Sequence, residues 1–248
     1  MSSREEPQSR TGPRTIALVP AAGRGLRMGG HIPKQFLLLR GQPILTHSLR
    51  VLQASPVIHE IILAVPQAER QHCLDHILGE GEFGKVTKVV AGGAQRQDSV
   101  RHALAEVSGD TDIVLVHDAV RPFLTEDMVR RVVEAAAEHG AAIVALPMRD
   151  TVKSVGADGV IERTVDRRPL WSAQTPQAFR RAWLEEGHRK ALLEGIHATD
   201  DAHLVELIGK PVVVVEGSGD NIKVTRPEDL VIGEAILNSR TAARSDVG

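Results

Sequence analysis

Short runs rich in valine, isoleucine and leucine recur along this chain, and stretches with helical spacing separate them. The runs cover residues 15–19, 61–65, 86–90, 113–116, 143–146 and 212–215. Apolar runs of this length are typical of strands that are buried on both faces, and intervening helices are typical of parallel sheets. The alternation therefore predicts an α/β fold, Rossmann-like, with a mostly parallel sheet and helices on both faces.

The spacing of apolar residues predicts a helix in most of the segments between these runs. Such helices are expected at 43–54, 95–107, 125–138, 176–194 and 199–208, and Pro227 stands at a favoured first position for a last helix. The segment 147–170 is different, because it is polar and β-prone and contains Gly156 and Gly159. We expect it to form a hairpin that protrudes from the α/β domain as an arm.

The length and composition of the chain favour one domain. The 248 residues suit a single large core, expected over 15–240, and the polar residues 1–14 are expected to be a disordered tail rather than a signal peptide or an anchor. The single cysteine, Cys73, fits a reducing compartment, so the expected location is the cytoplasm.

The charge and the hydropathy of the chain exclude two classes of partner. The net charge is −2, from 30 basic and 32 acidic residues, so no overall field attracts nucleic acid or an anionic membrane. No apolar run approaches the roughly 18 residues of a membrane span. We therefore expect neither a nucleic-acid partner nor a membrane, and any positive charge must act locally.

The loop 20–35 follows the first strand run directly and is the strongest local signal. It contains Gly23 and Gly25 together with the cations Arg27 and Lys34. Glycine lets backbone N–H groups approach phosphate oxygens, and the cations add full charges that those dipoles cannot supply. The loop therefore predicts a site for a nucleoside triphosphate, although a solvated basic turn is the alternative.

Two better-known phosphate loops do not fit this segment. The dinucleotide fingerprint requires a third glycine where Met28 stands. The P-loop requires lysine followed by serine or threonine where His31 and Ile32 stand. The nucleotide must therefore be held in another way.

Further polar residues follow the later strand runs, where a parallel sheet binds its ligands. They are Gly93 and Ser99 after the run 86–90, Asp118 after the run 113–116, Arg167 at the end of the arm, and Lys223 within 220–229. The first two could touch a nucleotide or only build a helix-capping turn, and the carboxylate could bind a hydroxyl or a hydrated cation or only cap a helix. The arginine could be a solvated charge, and the lysine is a candidate phosphate contact.

Seven separated segments together resemble one known family. They are 20–35, 92–99, 117–122, 164–171, 174–177, 199–201 and 220–229. In this order and at this spacing, between residues 15 and 236, they resemble the 2-C-methyl-D-erythritol 4-phosphate cytidylyltransferases. The resemblance implies a fold of the nucleotide-diphospho-sugar transferase type. It also implies transfer of CMP from CTP to methylerythritol phosphate, with release of pyrophosphate, in the non-mevalonate route to isoprenoids.

The resemblance also implies roles for particular residues. Arg27 and Lys34 would stabilise the reacting phosphates, while Asp118 would lie between the nucleotide and the sugar phosphate. The residues that would contact the nucleotide are Ala21, Ala22, Gly23, Gly25, Gly93 and Ser99. Those that would position the methylerythritol phosphate are Arg167, Thr199 and Lys223.

The resemblance further implies Mg²⁺, bound mainly through the CTP phosphates and with no protein metal ligand assigned, and a homodimer clasped by the arm 147–170. The sequence departs from the family pattern at Val120, where alanine is common, and in its longer start. Two alternatives stay open, which are a ribitol 5-phosphate cytidylyltransferase and a nucleotide-binding regulatory module without turnover. The acceptor-side segments favour the methylerythritol branch, and the presence of both Arg27 and Lys34 argues against the regulatory module.

Overall fold

The fold is seen in a computed structural model, which describes residues 12–23, 33–79 and 82–245. Eleven strands occur in this part of the chain. They are β1 (Thr15–Pro20), β2 (Leu38–Leu39), β3 (Gln42–Pro43), β4 (Glu60–Val65), β5 (Val86–Ala91), β6 (Ile113–Val116), β7 (Ala141–Pro147), β8 (Val152–Val155), β9 (Ile161–Val165), β10 (Trp171–Arg180) and β11 (Val213–Glu216). All six runs expected to be strands are strands, at nearly the predicted bounds.

The described α-helices lie between these strands and after the last of them. They are α1 (Ile44–Ala54), α2 (Arg70–His72, continued by a π-helical turn at Cys73–Ile77), α3 (Arg96–Leu104), α4 (Glu126–His139), α5 (Arg181–Glu194), α6 (Asp201–Leu207) and α7 (Pro227–Ser245). Short 3₁₀ turns cover Lys34–Phe36 and Gln67–Glu69. Among the helices described, none has the length and apolar character needed to cross a bilayer.

Seven of the strands form one sheet in the order β11-β7-β10-β6-β1-β4-β5. All neighbouring pairs are parallel except those of β10, which runs antiparallel to both β6 and β7. The sheet is therefore mostly parallel, as the alternation of the sequence predicts.

Both faces of the sheet are covered by helices, and β1 shows the division. Ala17 and Val19 point to the layer formed by α1 and α4, whereas Ile16 and Leu18 point to the layer formed by α3, α5 and α6. Alternate side chains of a strand point to opposite faces, so one continuous apolar strand supplies two cores. This arrangement confirms the predicted α/β class.

The predicted helix at 176–194 is wrong over its first five positions. Residues up to Arg180 belong to β10, and α5 begins at Arg181. Strand β10 carries buried polar side chains at Gln174, Thr175 and Gln177, each hydrogen bonded to another part of the chain. Because these polar residues interrupt the apolar pattern, the sequence signal for a buried strand is lost.

The segment 147–170 forms the expected hairpin. Strands β8 and β9 pair antiparallel with each other in a two-stranded sheet that is separate from the seven-stranded one. Val155 and Ile161, which lie toward the turn, are exposed in the single chain. The hairpin therefore forms a β-arm, as predicted.

Two glycines that end helices provide a matched test of the packing between the helices and the sheet. Gly140 after α4 and Gly195 after α5 both have positive φ, at 95° and 66°. A Cβ at Gly140 would lie 2.2 Å from the Trp183 ring, whereas a Cβ at Gly195 would meet nothing within 4 Å.

We therefore expect Gly195→Ala to cost only the backbone strain of about 1 kcal/mol, and Gly140→Ala to cost about 2 kcal/mol more through overlap with the ring. The measurement is urea unfolding of the two variants and the parental protein. Equal losses of stability in the two variants would show that Trp183 does not pack against Gly140 in this way.

Candidate active site

The carboxyl ends of four neighbouring strands open into one cavity of about 880 Å³. Strands β6, β1, β4 and β5 are adjacent and parallel, so the segments that follow them meet at the same edge of the sheet. The described residues that line the cavity are Pro20, Ala21, Ala22, Gly23, Lys34, Gln35, Pro66, Gln67, Gly92, Gly93, Ala94, Gln95, Arg96, Ser99, Asp118, Ala119, Val120, Lys223 and Thr225.

Most of the site residues expected from the sequence and placed by the structure lie on this cavity wall. They are Ala21, Ala22, Gly23, Lys34, Gly93, Ser99, Asp118 and Lys223. Thr199 and Arg167 do not line it. Thr199 is exposed just before α6, and the Arg167 guanidinium, on the segment that follows β9, donates a hydrogen bond to the carbonyl of Arg149. Gly25 and Arg27 lie outside the described residues.

The loops after β1 and β5 pack against each other with no room for larger side chains. A Cβ at Gly92 would lie 2.1 Å from Ala22 Cβ, and a Cβ at Gly93 would lie 2.2 Å from Asp98 Cβ. The backbone of Ala21 donates a hydrogen bond to the Ala64 carbonyl at 2.7 Å, which ties the first loop to β4. Glycine is therefore required at position 92 where the two loops meet, and at position 93 where the turn after β5 folds against the start of α3.

Ser99 has a structural role in the turn that starts α3. Its hydroxyl accepts a hydrogen bond from the Gly93 N–H and donates one to the Gln95 carbonyl, both at 3.1 Å. Gln95 and Asp98 form a capping box at the start of the helix. The helix-capping turn, which was the alternative role for these residues, is therefore formed. The contact of Gly93 and Ser99 with a nucleotide stays a prediction.

Asp118 is the one carboxylate among the described lining residues, and it lies between two cations. Its Oδ1 accepts a hydrogen bond from Arg96 Nε and its Oδ2 lies against Lys223 Nζ, each at 2.7 Å. Burial alone would raise the pKa of Asp118, but Arg96 and then Lys223 outweigh burial and hold the pKa well below its usual value. Asp118 is therefore ionised, and its side chain is not a helix cap.

Arg96 is a residue of the site to which sequence reasoning gave no role of its own. Its Nη1 lies 2.7 Å from Oδ2 of Asp201, the first residue of α6, while its Nε contacts Asp118. Burial would lower the pKa of Arg96, but Asp201 and Asp118 outweigh it and raise the pKa. The sequence offered one signal for this ion pair. Arg96 follows the Gly92–Gly93 turn after one strand, and Asp118 follows another strand of the same predicted sheet.

A buried hydrogen-bonded chain holds the backbone of Asp118. The Asp118 N–H donates to Thr175 Oγ1 at 3.0 Å, and Thr175 Oγ1 lies 3.1 Å from His117 Nδ1. His117 Nε2 lies 3.1 Å from the carbonyl of Arg121. When Nε2 carries the ring proton and donates it to that carbonyl, Nδ1 accepts from the threonine hydroxyl, so a neutral imidazole satisfies every group in this hydrogen-bonded series.

The segment that carries Lys223 is fastened to the end of β6. Arg121 Nη1 donates to the Asn221 carbonyl at 2.7 Å, and Val224 N–H donates to the Val120 carbonyl at 2.8 Å. Asn221 Nδ2 also donates to the carbonyl of Thr175 at 2.9 Å. These contacts fix the backbone on both sides of Lys223, so its ammonium reaches Asp118 from a rigid base.

Comparison with known proteins decides the family. The family model for 2-C-methyl-D-erythritol 4-phosphate cytidylyltransferase matches residues 15–239. The chain is 48% identical over 225 residues to the curated protein of that name from Syntrophus aciditrophicus, across 91% of this chain and 96% of the relative. It is 46% identical over 233 residues to the one from Geotalea uraniireducens, across 93% and 100% of the two chains.

The chain belongs to the 2-C-methyl-D-erythritol 4-phosphate cytidylyltransferase family.

Solved structures agree with this family assignment. The crystal structure of 4-diphosphocytidyl-2C-methyl-D-erythritol synthase from Anaerococcus prevotii superposes with a TM-score of 0.81 at 31% identity, over 92% of this chain and 97% of that one. The 2-C-methyl-D-erythritol 4-phosphate cytidylyltransferase from Thermus thermophilus gives a TM-score of 0.73 at 36% identity, over 91% and 98%. The Rossmann-like fold expected from the sequence is confirmed.

Most of the segments that resemble the cytidylyltransferase family converge on the cavity. The segments 92–99, 117–122 and 220–229, with the described part of 20–35, all contribute lining residues. Segments 174–177 and 199–201 lie behind the wall, where Thr175 and Asp201 hold Asp118 and Arg96. The arm segment 164–171, like these two segments, contributes no lining residue to the cavity of the described single chain.

The buried imidazole of His117 predicts a pH dependence of stability. Burial lowers the pKa of His117 to about 4, from 6.5 in an exposed histidine. Between these two pH values the unfolded chain binds a proton that the folded chain does not bind, so the free energy of unfolding falls as the pH is lowered. The integrated loss from this group is about 3 kcal/mol at pH 4.

We expect His117→Asn to remove this component, so that its unfolding free energy depends less steeply on pH between 6.5 and 4 than that of the parental protein. The measurement is urea unfolding at half-unit pH steps. His139→Asn, at the exposed end of α4, is the matched control and should keep the parental slope. An unchanged slope in His117→Asn would contradict the assignment of a buried neutral imidazole.

Proposed function

We propose that this chain transfers CMP from CTP to 2-C-methyl-D-erythritol 4-phosphate, forming 4-diphosphocytidyl-2-C-methyl-D-erythritol and pyrophosphate. The observation that carries the proposal is that Lys34 and Lys223 line one cavity together with the turn Gly92–Gly93 in a member of this family. Two lysines and a backbone-rich turn suit a site that must hold two phosphorylated substrates together.

The reaction needs positioning and positive charge more than it needs a base. A phosphate monoester oxygen of the acceptor is already anionic near neutral pH, and it attacks the α-phosphorus of CTP. As that P–O bond forms, the bond from the α-phosphorus to the β-phosphate oxygen breaks, and pyrophosphate leaves with the electron pair. The main obstacle is repulsion between two polyanions, so cations placed in advance lower the barrier.

The nucleotide would bind on the side of the cavity formed by the loops after β1 and β5. Ala21, Ala22 and Gly23 have short side chains or none, which leaves room for the edge of a base beside their backbone. Lys34 lies beside them. Its Cε is 3.5 Å from the position that a Cβ at Gly23 would take. Arg27 would add a second charge on the phosphates, as the resemblance implies.

The acceptor would bind on the side of the cavity formed by Lys223. The ammonium of Lys223 is paired with Asp118, so an incoming phosphate would share the cation with that carboxylate. Thr199 and the arm residue Arg167 complete the proposed acceptor contacts.

Magnesium suits this site as an ion held mainly by the CTP phosphates. Among the described residues no group of three acidic, histidine or cysteine side chains could hold a metal, and the cavity wall offers a single carboxylate, that of Asp118. Mg²⁺ commonly keeps several waters and is bound through substrate phosphates with one or two carboxylates, so the chemistry of this donor set fits. When bound, the ion would reduce the negative charge of the triphosphate.

The proposed activity is tested by pyrophosphate release with purified protein, CTP and Mg²⁺. We expect turnover with 2-C-methyl-D-erythritol 4-phosphate and little with ribitol 5-phosphate at the same concentration. UTP in place of CTP should be a poor substrate, because the base edge is read by fixed backbone groups. Faster turnover with ribitol 5-phosphate would assign the chain to the other acceptor, and no turnover with either would favour a regulatory nucleotide-binding module.

Lys34 provides a sharper test of the charge argument. We expect Lys34→Ala to lower kcat by about 10²-fold or more, by analogy with the loss of one preorganised donor to a developing charge. Lys88→Ala is the matched control, because Lys88 pairs with Glu106 on the surface, away from the cavity. Nearly parental turnover by Lys34→Ala would overturn the proposed role of this lysine.

We further propose that the enzyme is a cytoplasmic homodimer whose arm clasps the second subunit. The arm contributes no lining residue to the described cavity of its own chain, and it exposes Val155, Val160 and Ile161. An arm that extends away from its own sheet can carry Arg167 over the acceptor side of the neighbouring cavity. Each site would then combine Lys34 of one chain with Arg167 of the other.

Subunit exchange tests this arrangement. When inactive Arg167→Ala chains are mixed with inactive Lys34→Ala chains, a mixed dimer should contain one site with both defects and one site with neither. We therefore expect activity to reappear on mixing, measured by pyrophosphate release. If Arg167 serves its own chain, every site keeps one defect and the mixture stays inactive.

A further inference from the structure

Two aspartates from different elements share the guanidinium of Arg96. Nε lies 2.7 Å from Asp118 Oδ1, and Nη1 lies 2.7 Å from Asp201 Oδ2. The side chain of Asp118 is 8% exposed and that of Asp201 is 1% exposed. A guanidinium held by a separate carboxylate on each of two nitrogens has a fixed plane and a fixed direction.

We propose that Asp201 is a positioning residue of the active site, which holds Arg96 and through it fixes the Asp118 carboxylate against Lys223. Asp201 is not one of the described residues that line the cavity, so it acts through Arg96. The expected effect on turnover rests on the proposed function, whereas the expected effect on the position of Arg96 does not.

Capping of α6 does not explain an aspartate at position 201. That role belongs to Asp200, whose Oδ1 accepts a hydrogen bond from the His203 N–H at 3.1 Å. The carboxylate of Asp201 turns the other way, toward Arg96 at one oxygen and His188 Nε2 at 3.5 Å from the other. An ionised group at this depth needs such partners, so the residue type at 201 is tied to the arginine.

The charges along this line alternate from the cavity into the protein. Lys223, Asp118, Arg96 and Asp201 follow one another as cation, anion, cation and anion, so the four charges cancel. Burial would raise the pKa of Asp201, but Arg96 and then His188 outweigh it and keep the carboxylate ionised. Without Asp201 the buried guanidinium would depend on Asp118 alone, and it would compete with Lys223 for that carboxylate.

The same turn of α3 reaches the loop before α6 at a second point. The side chain of Gln97 donates to the Ile196 carbonyl at 3.1 Å and accepts from the Ala198 N–H at 2.9 Å. Arg96 and Gln97 thus bind α3, which starts from the Gly-Gly turn, to the chain on either side of Thr199. Because Gln97 holds the start of α3 independently of Asp201, loss of the Asp201 charge is expected to disturb the acceptor side of the cavity more than the nucleotide side.

A double-mutant cycle in turnover tests this inference. The variants are Asp201→Asn, which removes the charge with little change of shape, Arg96→Met, and the two together. We expect each single variant to lower kcat by about 10-fold or more, because small displacements of reacting groups are costly. The KM for CTP in Asp201→Asn should change little, because Asp201 does not line the cavity.

The double variant is expected to be no slower than Arg96→Met alone, because Asp201 acts only through the arginine. Multiplying effects in the double variant, or parental turnover in Asp201→Asn, would overturn the inference. Asp127→Asn, which removes one ionic partner of Arg130 and of Arg131 on the surface of α4, is the matched control and should leave kcat unchanged. Thermal unfolding of each variant is measured as well, to check that the variant is folded at the assay temperature.

Two further measurements keep the test decisive. A crystal structure of Asp201→Asn should show Arg96 Nε displaced from Asp118 by about 1 Å or more, and an unmoved guanidinium would contradict the proposal even if the parental protein had no transferase activity. If Asp201→Asn does not fold, Arg96→Lys decides the question. An ammonium cannot reach both carboxylates as the planar fork does, so kcat should again fall, and parental turnover would overturn the inference.

Discussion

The parallel alignment of β6, β1, β4 and β5 is the constraint on which the site depends. Parallel neighbours end at the same edge of the sheet, so chain segments far apart in sequence are delivered to one cavity. Gly92 after β5 then leaves room for the loop after β1, since a Cβ at position 92 would lie 2.1 Å from Ala22 Cβ. Neither loop forms a site alone, and the cavity exists because the sheet brings the two loops together.

Charge balance decides how the cavity is used. Three cations, Lys34, Arg96 and Lys223, and one carboxylate, Asp118, line the described wall, which leaves an excess of positive charge. Asp201 balances Arg96 from behind, and Asp118 is shared between Arg96 and Lys223, so two of the three cations on the wall are ion paired within the protein. Such an arrangement attracts phosphorylated substrates locally in a chain whose total charge is slightly negative.

Strand β10 shows why part of the fold was hidden in the sequence. It lies between β6 and β7, yet the polar residues Gln174, Thr175 and Gln177 interrupt its apolar pattern. They can be buried there because partners from distant segments satisfy their hydrogen bonds. Those partners matter to the site, since Thr175 holds the Asp118 backbone. A period of apolar residues cannot reveal a buried strand whose polar groups are paired through the tertiary structure.

The sequence by itself determined the fold class, the arm, and the residues Lys34, Asp118 and Lys223 of the cavity wall, because strand periodicity and the position of a residue after a strand are local properties. Only the tertiary structure decided that Asp118 is shared by Arg96 and Lys223, and that Asp201 stands behind Arg96. Residues 96, 118, 201 and 223 lie on four different segments, and spacing along the chain carries no information about their distances. The packing of α3 and α6 on one face of the sheet brings Arg96 to Asp201, and the hydrogen bonds of the segment around Lys223 to the end of β6 bring Lys223 to Asp118.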